Sequence, residues 1–140
     1  MKKTFYLLAF GAALLASARL AYPRFLTIAF NLRGRLEMAD SLKEAAARPN
    51  TMLFVVARNE SGVPVAIKKI INPSFPLSFR LSAENLIMPE LLTKFLFLEA
   101  FLNTHGELGV TRAGDIKGEI VRQVYFREKD VLLTLNTLSP

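Results

Sequence analysis

LFVVARNESGVPVAIKKIINPSFPLSFRLSAENLIMP, residues Leu53 to Pro89, strings extended apolar runs between turn signals and holds no catalytic constellation. Asn59-Glu60-Ser61-Gly62 predicts a hairpin loop between a strand at Met52–Arg58 and another over Val63 to Ile71. Asn72-Pro73-Ser74 turns the chain again into Phe75 to Leu81. There Phe75, Leu77, Phe79 and Leu81 alternate with Pro76, Ser78, Arg80 and Ser82, the signature of a strand buried on one face.

Outward from this stretch the pattern continues. Leu26, Ile28, Phe30 and Leu32 alternate through a first strand region, Phe25 to Glu37, that Gly34 relaxes. Asp40 to Arg48 has helix propensity and an acidic start, so a turn or two of helix is expected before Pro49. Ser82 is placed to cap a short turn through Ala83 to Ile87 that Pro89 ends. Lys94 to Leu102 is apolar on both faces except at Glu99, as in a central strand covered on both sides. Thr104-His105-Gly106 makes a hairpin loop, Gly118 to Phe126 a further strand, and Val131 to Leu138 the closing one. About seven short strands with turn signals between them predict an all-β, Ig-like antiparallel β-sandwich.

The first residues read as an address. Met1-Lys2-Lys3 is a positive lead, Thr4 to Leu15 is almost wholly apolar, and Ala16-Ser17-Ala18 offers a small-x-small cleavage site. The expected organisation is a signal peptide at residues 1–18 followed by a single domain at 19–140, with the body in the periplasm or another extracytoplasmic space. A retained anchor in the inner membrane is the alternative, and Arg19 cuts its apolar run short. The formal charge is +6, of which Lys2 and Lys3 contribute two. Arg19, Arg24, Arg33 and Arg35 precede the first acid, Glu37, and are read as a solvated polar face. Export and the lack of a basic stripe interleaved with aromatics argue against nucleic acid. A composition that is 51% hydrophobic supplies a core without staples, and the absence of cysteine excludes disulfides and Cys-based metal or haem attachment.

Several further segments resemble one known family. Leu53 to Arg58, Gly62-Val63-Pro64-Val65-Ala66, Phe75-Pro76-Leu77 and Met88-Pro89 are similar to successive strands and turns of the Ig-like domain of CycH-type cytochrome c biogenesis proteins. Leu32 to Leu36, Ala100 to Gly106 and Gly114-Asp115-Ile116-Lys117-Gly118-Glu119 extend the likeness over roughly Phe25 to Leu138. What the resemblance implies is a non-catalytic interaction domain, accessory to cytochrome c maturation. Its implied partner is a protein, a c-type cytochrome or a component of the haem-ligation machinery, and contact with a membrane is expected only if the N-terminal helix is retained. The alternative is a structural or assembly subunit that binds a multihaem cytochrome or another envelope protein.

No catalytic, cofactor-binding or metal-ligating residue is assigned, and no cofactor is implied. His105, the only histidine, is expected to be a solvated turn residue. Leu86, Ile87 and Met88 are expected to plug the core, since a lone thioether without His or Cys nearby is no copper site. Asp115 between Gly114 and Gly118 reads as a turn-fixing carboxylate, the glycines permitting positive φ or close packing. Glu128 and Asp130 fall in a charged turn. Phe95, Phe97 and Phe101 would make an interface if they faced outward; core burial is the expected fate of at least two of them.

Overall fold

The computed structural model describes all 140 residues. A 28-residue helix, α1 (Lys2–Ala29), passes almost directly into the first strand, β1 (Asn31–Met38). Asp40–Leu42 forms a 3-10 turn that continues into a single α-turn, α2 (Lys43–Ala46). There follow β2 (Met52–Arg58), β3 (Pro64–Ile71), β4 (Leu77–Ser82), β5 (Phe95–Asn103), β6 (Ile116–Glu119), β7 (Val124–Tyr125), β8 (Val131–Leu135) and β9 (Thr137–Leu138). They form two packed sheets: β4-β1-β8, and β3-β2-β5-β6-β9 with β7 paired to β5. This is the Ig-like sandwich that the alternation predicts. One of its pairings, β1 with β8, is parallel.

The inner faces interdigitate through leucines. Leu32 and Leu36 of β1, Leu53 and Val55 of β2, Leu96, Leu98 and Leu102 of β5, and Leu133 and Leu135 of β8 are all within a single buried cluster. Each such side chain withdrawn from water stabilises the fold by roughly 1.5–3 kcal/mol before entropy is counted. At Gly118 the backbone of β6 comes against β8 so closely that a Cβ would run into the Thr134 carbonyl. Close packing is therefore the reason for that glycine. Gly114, at φ +91°, is a glycine for the other reason, its backbone being in the left-handed region.

Three strand expectations need correction. Residues 25–29 are helix: Leu26 and Phe30 enter the core together while Ile28, which alternation would place with them, is exposed. The spacing of Leu26, Ala29 and Phe30 is equally a helical stripe, and a helix already running through an apolar segment extends at little cost. The strand expected over residues 118–126 is broken into β6 and β7: Ile120 N–H still bonds the Leu98 carbonyl in register, but Val124 pairs with Leu96, so residues 121–123 stand opposite Phe97 alone and bulge, with Val121 in solvent. The closing strand divides at Asn136, whose N–H bonds the Lys117 carbonyl and carries the chain from one sheet to the other. After a 3-10 turn at Ala83–Asn85, Pro89 opens a third, Pro89–Leu91, where its missing N–H costs nothing, instead of simply ending the preceding one.

Candidate functional site

β5 is the central strand of the larger sheet, and only its inner face is covered. Leu96, Leu98, Ala100 and Leu102 point to the core, while Phe95, Phe97, Glu99 and Phe101 point outward. Phe95 is 42% exposed and Phe97 and Phe101 are half-buried, so core burial of two of the three phenylalanines does not occur. The registers put Phe101 opposite Phe54 and Phe97 opposite Arg58 on β2, and Phe54 opposite Lys69 on β3. The result is a continuous apolar face in which Phe54 and Val56 are enclosed by their neighbours, at 6% and 1% exposure, and the phenylalanines of β5 form the open part. A strand reads as apolar on both sides in such a case because large rings can shield one another without a covering layer.

Polar groups frame this face. Arg58 Nε donates to Glu99 Oε1 at 3.1 Å within it. The Lys69 ammonium stands 5.7 Å from the centre of the Phe54 ring. At one end Phe95 packs against Tyr125, with ring centres 5.9 Å apart. At the other, residues 107–111 stand beside Phe101 and Lys117 and leave a cleft of about 220 Å³.

The loop beside that cleft is held by the one histidine. His105 is not a solvated tip: its side chain is 8% exposed, and Nε2 lies 2.8 Å from Asp115 Oδ2. Glu107 N–H donates to Nδ1 at 3.2 Å, which leaves Nε2 as the protonated nitrogen of the neutral ring. The same Asp115 oxygen accepts Arg112 N–H at 2.8 Å, as a turn-fixing carboxylate should. Sequence reasoning found Asp115 and missed its partner, because the two lie ten positions apart at opposite ends of a loop.

The outer face of the smaller sheet is basic. Arg33 on β1 lies directly across from Arg80 on β4, and both guanidinium groups donate to Asn31 Oδ1, at 3.4 and 3.0 Å. Arg35 reaches Glu37 at 3.3 Å, and the Lys68 ammonium donates to the Arg80 carbonyl at 3.2 Å. Of the four arginines expected to share one polar face, Arg33 and Arg35 do so and Arg19 and Arg24 stand on the helix.

The remaining candidates are dispersed. Leu86 packs on the core, but Ile87 and Met88 are exposed, at 51% and 39%, since both backbone N–H groups turn in to the Val65 carbonyl. Glu128 is gripped by both terminal nitrogens of Arg122, at 3.2 and 2.6 Å, and the hydrogen bonds hold its carboxyl below the usual glutamate range. Asp130 occupies the turn at φ +60°. His, Asp and Glu side chains nowhere converge in threes around a common point.

A family model, the Ig-like domain of cytochrome c-type biogenesis protein H, matches residues 32–136. The chain belongs to that family. The match begins at the second residue of β1, so α1 lies ahead of the shared domain. The chain is also similar to an uncharacterized protein of Aquifex aeolicus (strain VF5), 29% identical over 107 residues that span 75% of this chain and 69% of the relative. Among solved structures it is similar to an alternative pilotin from the type II secretion system of Vibrio cholerae, with a TM-score of 0.48 and 15% identity over 75% of this chain and 93% of the pilotin.

Proposed function

We propose that this Ig-like domain acts without catalysis, as an extracytoplasmic accessory to the maturation or assembly of c-type cytochromes. Its partner on this reading is a protein: a c-type cytochrome or a component of haem ligation. Membership of the cytochrome c biogenesis family supports the process. The apolar N-terminal helix is consistent with delivery to the cell envelope. The observation that carries a binding role is the row Phe95, Phe97 and Phe101, rigidly presented on a central strand and open on its outer side. Aromatic rings offer large contact area at small entropic cost, and an Arg58–Glu99 pair in their midst gives an approaching partner polar register.

Photo-cross-linking tests this. A cross-linking residue replaces Phe97 or Phe101 in the full chain, with one at Arg35 on the opposite face as control, and products are taken from cell envelopes. Adducts with c-type cytochromes or haem-ligation proteins are expected from the phenylalanine positions and not from Arg35. Adducts with unrelated envelope proteins alone would overturn the proposal. In a deletion strain, lowered haem-stained cytochrome assigns the role to maturation, and normal cytochrome with loss of a cytochrome-containing complex assigns it to assembly.

A further inference from the structure

Residues 86–92, between β4 and β5, carry exposed apolar side chains on a rigid backbone. Ile87 is 51%, Met88 39% and Leu91 40% exposed. Their backbone is not loose. Ile87 N–H bonds the Val65 carbonyl at 2.8 Å, Asn59 Nδ2 donates to the Leu91 carbonyl at 3.1 Å, and Leu92 is buried in the core. A fixed loop that turns three large apolar groups outward presents a surface.

That surface stands beside α1. The 3-10 turn at Pro89–Leu91 packs along the helix, and Leu26 and Phe30 lock the helix end into the sandwich core. The domain therefore cannot swing freely on its helix. α1 is long and apolar enough to cross a membrane, and its most apolar window is wholly unburied. A hydrocarbon layer of about 30 Å takes about 20 residues at 1.5 Å each. Counted from Thr4, next to Lys2-Lys3, such a span runs out near Pro23, less than one turn before Leu26 enters the core. If α1 spans in this way, the loop that packs on the helix comes to lie at the boundary between acyl chains and headgroups. Arg19, one turn below Pro23, is within reach of the headgroups by extending its side chain along the helix.

We propose that the 86–92 loop is a second membrane contact: with α1 retained as a span, Ile87, Met88 and Leu91 enter the interfacial layer of the bilayer and seat the domain on it. The inference rests on the reading that the N-terminal segment brings the domain to a membrane, and it is independent of which protein the phenylalanine face binds. An interfacial foot of this kind fixes tilt, since a helix and a loop side by side define a plane and a helix alone does not.

The chain has no cysteine, so single cysteines accept a fluorophore selectively. The full chain is reconstituted in vesicles of phosphatidylcholine and phosphatidylglycerol, with an environment-sensitive dye at Leu14→Cys in the helix, Ile87→Cys or Leu91→Cys in the loop, or Ser74→Cys at the far end of the sandwich. Lipids carrying a quencher near the headgroup are expected to quench the loop dyes several-fold more than the Ser74 dye. Deep acyl quenchers should reach the Leu14 dye. A quenched helix dye with loop dyes as accessible as Ser74 overturns the proposal and leaves the anchor standing. An unquenched helix dye, or a product from cell envelopes that begins at Arg19, overturns both. Loop dyes shielded in native envelopes but not in lipid vesicles would show that a protein covers the loop, and that result also overturns the proposal.

Discussion

β1 and β5 both turn leucines inward at alternate positions, and what they turn outward is opposite in kind. β1 shows water Asn31, Arg33, Arg35 and Glu37; β5 shows it Phe95, Phe97, Glu99 and Phe101. The first face disperses charge into solvent, the ordinary polar side of a sheet that buries its other face. The second leaves rings half-covered, which is costly unless something else covers them. The contrast marks one side of the sandwich as a solvent face and the other as the side on which to look for a partner.

The largest test strikes the join that keeps the two faces apart. Gly118→Val forces a Cβ into the Thr134 carbonyl of β8, and a loss of about 3 kcal/mol is expected in urea denaturation. A loss under about 1 kcal/mol would show that the two backbones are not in close approach. Next comes a direct comparison within β5. Leu98→Ala, on the inner face, should cost about 3 kcal/mol, and Phe97→Ala, on the outer, about 1 kcal/mol. Equal losses would mean that the phenylalanine face is enclosed as fully as the core.

His105→Ala sharpens the boundary of the apolar face. With Asp115 left short of a partner, a loss of about 1–2 kcal/mol is expected, together with faster amide exchange over residues 104–115. Unchanged exchange there would remove the histidine from the role of loop support. On the basic face the expected effect is smaller and opposite in sign. Arg80→Ser relieves the repulsion of Arg33 directly across the ladder and should stabilise by a few tenths of a kcal/mol at low salt, the gain fading as salt rises. A salt-independent loss would show that the bond from Arg80 to Asn31 matters more than the repulsion.

The smallest effect is a pH dependence at the turn after β7. The Arg122 hydrogen bonds lower the folded-state pKa of Glu128, so the stability they contribute is fully present above the ordinary glutamate range. It is lost as pH falls through the lowered value, and the partly exposed pair keeps the effect small. Glu128→Gln should flatten the acid limb of a melting-temperature profile and leave neutral pH little changed. An acid limb of the same slope in the variant would remove this pair from the acid response.

Much of the sandwich was legible before any coordinates. β2 falls where its apolar run and the Asn59–Gly62 turn put it, and β3, β4 and β5 lie within a residue or two of expectation. Strands that keep one period from end to end announce themselves. Where the period was shared with a helix, as at Leu26 and Phe30, or where a strand had to change sheets, as at Asn136, local pattern was silent, because both outcomes satisfy the same nearest neighbours. The candidate surface was legible as a set of residues, Phe95, Phe97 and Phe101, but not as a surface. His105 and the 86–92 loop were misread for a common reason: each is placed by hydrogen bonds to segments distant in sequence, Asp115 in one case, Val65 and Asn59 in the other.

The sequence by itself determined the apolar N-terminal helix, the alternation that makes a two-sheet sandwich, and the motifs of the cytochrome c biogenesis family, because each is written in contiguous residues. Only the tertiary structure decided which of the two faces of β5 is covered, and that the loop after β4 stands beside the helix. Those depend on how many layers pack against a strand and on where separate loops meet, and a one-dimensional pattern specifies neither.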